Sequence, residues 1–190
     1  ADHYSFGEIR VTHQQNVVLA DVKQSDLPAL WLKAKEMGFA TPNIGTLTDM
    51  ICCPGGDFCS LANAKSIPIA EAIQRRFDDM DYLYDIGDIS LNISGCMNAC
   101  GHHHVGNIGI LGVDKKGLEF YQIQLGGSSG NDAALGGVLG PSFFATEVPE
   151  IIEKILQVYV DHRLDGEQFI DTQRRIGMAP FKECIYAKAA

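Results

Sequence analysis

The sequence Gly95-Cys96-Met97-Asn98-Ala99-Cys100-Gly101 holds two cysteines separated by three residues and enclosed by glycines. A second pair lies upstream in Cys53-Pro54-Gly55-Gly56-Asp57-Phe58-Cys59, so the full pattern is C-x5-C followed by C-x3-C. Four thiolates brought together by a fold offer one soft ligand to each iron of a 4Fe–4S cube. The glycines fit this interpretation, because nearby backbone N–H groups stabilise an anionic cluster and glycine permits their close approach. The pattern therefore favours an iron–sulfur site.

A structural zinc site and buried free thiols are the alternatives to iron–sulfur at these cysteines, and both stay open. Zinc ligands within a pair are commonly two to four residues apart, so the longer spacing fits zinc poorly and the shorter one acceptably. A disulfide framework is not indicated, because the chain is not cysteine-dense and the adjacent Cys52 and Cys53 are difficult to place in two bridges. From the residues alone, iron–sulfur is only somewhat favoured over zinc.

The predicted secondary structure places each cysteine pair after a strand. Residues 48–53 and 88–94 have strand patterns, so two strand ends can present four sulfurs to one point. We also expect a helix N-terminus just after Cys59, where its partial positive charge would lie beside the cluster. The other predicted strands are 8–12 and 16–22, and a hairpin of 107–113 with 118–125. The other predicted helices are one capped by Ser25 and ending at Gly38, one over 68–80, one capped by Thr146, and two at 167–176 and 179–187. Residues 126–140 are expected to form a mobile or ligand-covering loop.

Both cysteine motifs resemble those of the sirohaem-containing sulfite and nitrite reductases. The likeness continues in the run Val105-Gly106-Asn107-Ile108-Gly109-Ile110-Leu111-Gly112 and in Leu125-Gly126-Gly127. Near the start, Thr12-His13-Gln14-Gln15-Asn16 and Val17-Val18-Leu19-Ala20 resemble the beginning of the family's second ferredoxin-like half-repeat. The resemblance covers nearly the whole chain but only the C-terminal part of the family's usual length, with one copy of its internal duplication. It implies a fragment.

The resemblance further implies an α+β fold, with a mixed sheet packed against helices. It places a small ferredoxin-like half-repeat at residues 1–41 and a domain that binds 4Fe–4S and sirohaem at residues 46–190. Since a half-repeat of about forty residues is too small for a core of its own, we expect it to be loosely held or to bury its apolar face in a homodimer.

The resemblance also implies the site residues. Cys53, Cys59, Cys96 and Cys100 would hold the cluster, and Cys100 would bridge to the sirohaem iron, which makes it the candidate catalytic residue. Asn98 matches the family's own Asn; a hydrogen bond that shapes the turn is its simpler role, and cofactor contact is the second. Cys52 and Cys184 are expected to be structural.

The implied function is the six-electron reduction of sulfite to sulfide or of nitrite to ammonia. The implied partners are the N-terminal half of the same protein and an electron donor, either a flavoprotein or ferredoxin. Substrate-binding cations in the family come largely from that other half, so we expect the fragment alone to be inactive. Two alternatives remain: an iron–sulfur electron-transfer module without sirohaem, and a zinc-stabilised binding module.

Charge and composition exclude other classes of protein. The net charge is −9 and no basic run exceeds two residues, so we expect no nucleic-acid partner. No apolar run has the roughly eighteen residues of a membrane span, and the polar start lacks the features of a signal peptide. Together with metal-bound thiolates, this favours the cytoplasm. The simplest interpretation of His102, His103 and His104 is a polar loop. Their second possible role is to donate hydrogen bonds to sirohaem carboxylates or to supply protons during reduction. Lys65 is expected to be a solvated surface lysine.

Overall fold

The structure is a computed structural model that describes residues 1–187. Its contacts divide the chain into two compact units, one formed by Ala1–Pro42 and a second that begins at Asn43.

The first unit has little regular structure. It contains β1 (Arg10–Val11) paired antiparallel with β2 (Val17–Val18), a short 3-10 turn (Gln24–Asp26), and α1 (Leu27–Glu36). The predicted cap at Ser25 is wrong: this residue lies inside the 3-10 turn and α1 begins after Asp26. No residue of α1 is buried, and the Trp31 side chain is 51% exposed. The unit therefore has almost no core of its own.

The second unit is built on a five-stranded mixed sheet, which confirms the predicted α+β class. In sheet order the strands are β3 (Ile51–Cys52), β4 (Leu91–Ser94), β5 (Ile108–Lys115), β6 (Leu118–Leu125) and β7 (Gly137–Val138). The pairs β3/β4 and β4/β5 are parallel, and the pairs β5/β6 and β6/β7 are antiparallel.

The β5/β6 hairpin confirms the prediction from sequence. Its connection is Lys116-Gly117, and both residues have positive φ, 57° and 81°. Such values match the right-handed twist of the strands in two-residue hairpins. The strand β7 falls within residues 126–140, so the predicted loop is partly regular structure.

In its described residues, the second unit also has five α-helices: α2 (Ile67–Arg76), α3 (Met80–Ile86), α4 (Val148–His162), α5 (Phe169–Ile176) and α6 (Ala179–Tyr186). The predicted single helix over 68–80 is wrong. The helical backbone ends at Phe77, where ψ is 64°, and the Asp79 carboxylate caps a new helix by accepting from the N–H groups of Asp81 and Tyr82.

The core lies between one face of the sheet and the helices. Alternate strand residues, including Leu91, Ile93, Ile108, Ile110 and Ile123, are fully buried. The predicted apolar face of α4 is confirmed, since its members are all buried: Val148, Ile151, Ile152, Ile155, Leu156 and Tyr159. Burial of each such large side chain contributes about 1.5–3 kcal/mol. Within residues 1–187, every helix is too short or too polar to cross a bilayer.

Candidate functional site

The two cysteine loops leave the sheet at the same edge. Because β3 and β4 are parallel neighbours with Cys52 paired to Ile93, the residues that follow each strand emerge side by side. The Cys53 N–H donates to the Ile93 carbonyl at 3.0 Å and extends this pairing by one residue. Cys53 and Cys96, the first cysteine of each pair, are both buried at 8% exposure. The fold thus brings the starts of the two motifs together.

The sulfur of Cys53 lies among hydrogen-bond donors. The backbone N–H of Gly95 donates to Cys53 Sγ at 3.0 Å, and Ser66 Oγ lies 3.5 Å from the same sulfur. Hydrogen bonds of this kind stabilise an anionic sulfur. The arrangement fits Cys53 as a thiolate ligand.

The neighbouring Cys52 has the opposite environment. Its side chain packs against the core and its thiol donates to the Cys53 carbonyl at 3.3 Å. Burial, with a smaller effect from the neighbouring Cys53, raises the pKa of the Cys52 thiol to about 12. The packing of Cys52 against the core suits a structural residue.

Residues 63–66, which we name the bridge segment, join the two cysteine loops through backbone hydrogen bonds. The Ala64 carbonyl accepts from Gly56 N–H at 2.9 Å, in the first loop. The N–H groups of Asn63 and Ala64 both donate to the Gly95 carbonyl in the second loop, at 2.8 and 3.0 Å. The expected helix N-terminus just after Cys59 is absent from the structure, because α2 begins only at Ile67.

A buried tyrosine fastens the bridge segment to the sheet. The Tyr121 hydroxyl, on β6, donates to the Lys65 carbonyl at 2.8 Å and lies 3.2 Å from Glu119 Oε2. Burial raises the pKa of Tyr121, so that the phenol stays protonated and can donate. The Lys65 ammonium pairs with Asp57 at 2.8 Å and is half exposed, as expected for a surface lysine.

Close packing at glycines holds these loops in place. Gly55 has a φ of 64°, and a Cβ atom there would lie 2.4 Å from Ser66 N. A Cβ on Gly95 would lie 2.7 Å from the Ala64 carbonyl oxygen, and one on Gly112 would lie 2.7 Å from Ala64 Cβ. The glycines of the motifs thus admit the bridge segment as well as a close N–H···S contact.

The second cysteine loop turns outward. Ala99, at a φ of 57°, donates its N–H to the Cys96 carbonyl at 3.1 Å, and Gly101 N–H donates to Ser94 Oγ at 3.1 Å. This turn buries Cys96 and exposes Cys100, whereas Cys59 is half-buried. Exposed apolar side chains accompany Cys100 in these loops: Phe58, Leu61 and Met97.

Among the described residues, the cysteine loops do not form a preassembled site for a single ion. Among residues 1–187, no three His, Cys, Asp or Glu side chains are placed to hold a single metal ion. A zinc ion needs its sulfur ligands within about 2.3 Å. A 4Fe–4S cube spreads its irons over four corners, so its cysteine sulfurs lie farther apart. The donors around Cys53 Sγ suit a metal-bound thiolate.

The residues around Cys100 differ from the simplest predictions. Asn98 is exposed, and its side chain has no hydrogen-bond partner in the described part of the chain, so the expected turn-shaping bond is not formed. His102 and His104 are exposed and His103 is fully buried, with neither ring nitrogen bonded to any described residue. Burial, with a smaller effect from His104, lowers the pKa of His103 to about 4. Only His102 and His104 are therefore accessible to a ligand.

Comparison with protein families identifies the chain. Residues 45–190 match the model described as the nitrite and sulphite reductase 4Fe-4S domain, and residues 1–37 match the nitrite/sulfite reductase ferredoxin-like half domain. The chain belongs to the nitrite and sulfite reductase family.

Curated members of this family include both kinds of enzyme. A sulfite reductase (ferredoxin) of Mycobacterium tuberculosis strain H37Rv is 29% identical over 85% of this chain and 31% of its own length. A ferredoxin–nitrite reductase of Synechococcus elongatus is 27% identical over 82% of this chain and 31% of its own. The chain spans about a third of the length of these relatives.

Two solved structures have the same fold as this chain. The NirA protein of Mycobacterium tuberculosis superposes with a TM-score of 0.77 at 27% identity, over 91% of this chain and 33% of that one. Dissimilatory sulfite reductase I gives a TM-score of 0.79 at 14% identity, over 100% of this chain and 64% of that one, which bears on the fold alone.

Several residues that contact the two cysteine loops escape prediction from sequence. Ser66 and Tyr121 carry no motif, and their roles come from contacts with residues far along the chain. The sequence signal at Ser66, a serine just before a helix with proline in its first turn, predicts a helix cap and not a contact with a sulfur. Cys184, expected to be structural, is exposed on α6 and does not belong to the core.

Proposed function

We propose that Cys53, Cys59, Cys96 and Cys100 hold a 4Fe–4S cluster in this chain. The observation that carries the proposal is the hydrogen bond from Gly95 N–H to Cys53 Sγ, which couples the second motif to a sulfur of the first. The description of the matching family model supports it, since that model is a 4Fe-4S domain. Buried Cys53 and Cys96 would anchor the inner side of the cluster, and Cys100 its outer side.

We also propose that the exposed side of this site takes sirohaem, with Cys100 shared between the cluster and the haem iron. Cys100 would hold both groups, and when bound they would supply single electrons for the reduction of a substrate. Cys100 is exposed, as such sharing requires. Asn98 is exposed two residues away, with its side chain available for a cofactor contact, and His102 and His104 can donate protons or hydrogen bonds at the same surface.

The activity we propose for the full-length protein is six-electron reduction of sulfite to sulfide or of nitrite to ammonia. Both sulfite and nitrite reductases are among the relatives, and their names give ferredoxin as the donor, which we favour here over a flavoprotein. We propose that residues 1–41 are the half-repeat and residues 46–190 the cofactor domain. The reduced thiolates agree with a cytoplasmic setting.

The chain alone is proposed to be inactive. Anionic substrates and sirohaem carboxylates need cations, and the lysine of the bridge segment, Lys65, already pairs with Asp57. The missing cations would come from the N-terminal half of the same protein.

The test is metal analysis with an absorbance spectrum on protein purified without oxygen. We expect about four irons and four sulfides per chain. A macrocycle band in addition would support sirohaem binding by these residues alone. Iron without that band would favour an electron-transfer module or a cofactor that needs the other half. Zinc in place of iron would overturn the proposal.

A further inference from the structure

Ser66 occupies a position where serine usually caps a helix, but its hydroxyl is used elsewhere. It is the residue that precedes α2, and its side chain makes no capping hydrogen bond. The Ser66 side chain is fully buried, and its only hydrogen-bond partner among the described residues is Cys53 Sγ, 3.5 Å away. A buried hydroxyl that does not cap its helix but contacts a sulfur indicates a specific interaction with that sulfur.

The direction of this hydrogen bond follows from chemistry. A metal-bound cysteine is a thiolate, which can only accept, so the Ser66 O–H must donate. Cys53 Sγ then receives two hydrogen bonds, one from Ser66 and one from Gly95 N–H.

Two glycines make the approach of the hydroxyl possible. A Cβ atom on Gly55 would lie 2.7 Å from Ser66 Oγ, and one on Gly95 would lie 3.0 Å from it. The hydroxyl is thus enclosed by both cysteine loops and excluded from water. In such a low-dielectric site the hydrogen bond to an anionic sulfur is stronger than it would be in solvent.

We propose that Ser66 is a positioning residue that raises the reduction potential of the cluster held at Cys53. The inference rests on the proposed 4Fe–4S site. Adding one electron to the cluster increases the negative charge on its sulfurs, so a hydrogen bond to Cys53 Sγ stabilises the reduced form more than the oxidised form. Loss of the hydroxyl therefore lowers the potential.

The experiment compares Ser66→Ala with the wild-type chain, both purified without oxygen and carrying their cluster. Because the Ser66 side chain does not cap α2, alanine removes the hydroxyl without removing a cap. We expect unchanged iron and sulfide content and a more negative midpoint potential in a redox titration followed by electron paramagnetic resonance. The control is Thr172→Val, which removes a fully buried hydroxyl that bonds to Glu167, and it should leave the potential unchanged.

The experiment distinguishes failure of the proposed cluster site from failure of the proposed role of Ser66. A wild-type chain without iron would refute the proposed function itself. A loaded Ser66→Ala chain with the wild-type potential would refute the role of Ser66 and leave the cluster assignment intact.

If Ser66→Ala fails to load, the wild-type chain decides the question. Hydroxyl protons exchange with solvent faster than buried amide protons. Transfer to deuterated buffer should therefore shift the iron–cysteine stretching bands in the resonance Raman spectrum before the Gly95 amide has exchanged. Bands that shift only at the amide's slow rate would overturn the proposal.

Discussion

The N–H of Gly95 donates to the sulfur of Cys53 at 3.0 Å, across the two cysteine motifs. One motif thus supplies a hydrogen-bond donor to the ligand of the other. The carbonyl of Gly95 also accepts hydrogen bonds from the N–H groups of Asn63 and Ala64. A single residue therefore connects both cysteine loops and the bridge segment.

This relationship predicts different roles for the adjacent cysteines 52 and 53. Cys53→Ser should lose the cluster, because serine is a poor iron ligand. Cys52→Ala should keep it and lose about 1 kcal/mol of unfolding free energy, since it only shortens a half-buried side chain. Iron and sulfide content per chain measures the first effect and denaturant unfolding the second. Equal iron loss in both variants would contradict the assignment.

The two exposed cysteines provide a matched pair. Cys100→Ser should destabilise the cluster and abolish any coupling to sirohaem, while Cys184→Ser on α6 should change neither. Iron content and the absorbance spectrum report both effects. If the two variants lost iron to the same extent, Cys100 would not be a ligand.

The Tyr121 hydroxyl should protect the cluster by fixing the bridge segment. Tyr121→Phe removes its bond to the Lys65 carbonyl, and we expect a loss of about 1–2 kcal/mol in stability and faster release of iron to a chelator. Tyr159→Phe is the control, because this equally buried tyrosine donates to the carbonyls of Ile86 and Glu167, outside the cysteine loops. It should lower stability without accelerating iron release; equal release rates would refute the role of Tyr121.

Close packing behind the second loop predicts a large effect at Gly101. A Cβ there would lie 2.0 Å from the Ile93 carbonyl oxygen, so Gly101→Ala must displace backbone. We expect a loss of about 3 kcal/mol or more of unfolding free energy. Gly56→Ala, in the other loop, meets its nearest atom at 3.4 Å and should be close to neutral. Comparable denaturation midpoints for the two variants would show that the loop at Gly101 yields easily.

His103 should make stability depend on pH. Its pKa is lowered to about 4 in the folded chain and is about 6.5 when unfolded. The unfolded chain therefore binds more protons between these values, and stability falls as the pH drops through this window. Between pH 7 and pH 5, the free energy of unfolding of the wild-type chain should fall by on the order of 1–2 kcal/mol more than that of His103→Gln, as measured by denaturant unfolding. The exposed His102→Gln should retain the wild-type dependence; an identical slope in His103→Gln would contradict the prediction.

The parts of the fold that follow from local pattern were predictable. The hairpin is encoded by strand residues on either side of Lys116-Gly117, and the buried face of α4 by residues at helical spacing. The break between α2 and α3 escapes prediction because Phe77 continues the apolar spacing of α2 and hides the cap at Asp79.

Of the candidate site, the sequence indicates only the cysteines. Their spacing is a sequence signature, whereas the bridge segment acts through backbone groups that any residue possesses. Asn63 bonds to Gly95 in the other cysteine loop, and Lys65 bonds to Tyr121 across 56 positions of sequence. Such pairings depend on the order of the strands in the sheet, and the residue types at these positions do not predict them. The contact of the Ser66 hydroxyl with the Cys53 sulfur, in place of a helix cap, likewise cannot be predicted from the sequence.

The packing of Ala64 constrains how this sequence can diverge. A methyl group at Gly112 would collide with Ala64 Cβ, and one at Gly95 would collide with the Ala64 carbonyl. The clash at Gly95 is with backbone, so no change at position 64 relieves it, and position 95 should remain glycine. The clash at Gly112 is with the Ala64 side chain, so positions 64 and 112 should remain small together or change together, although they lie far apart along the chain.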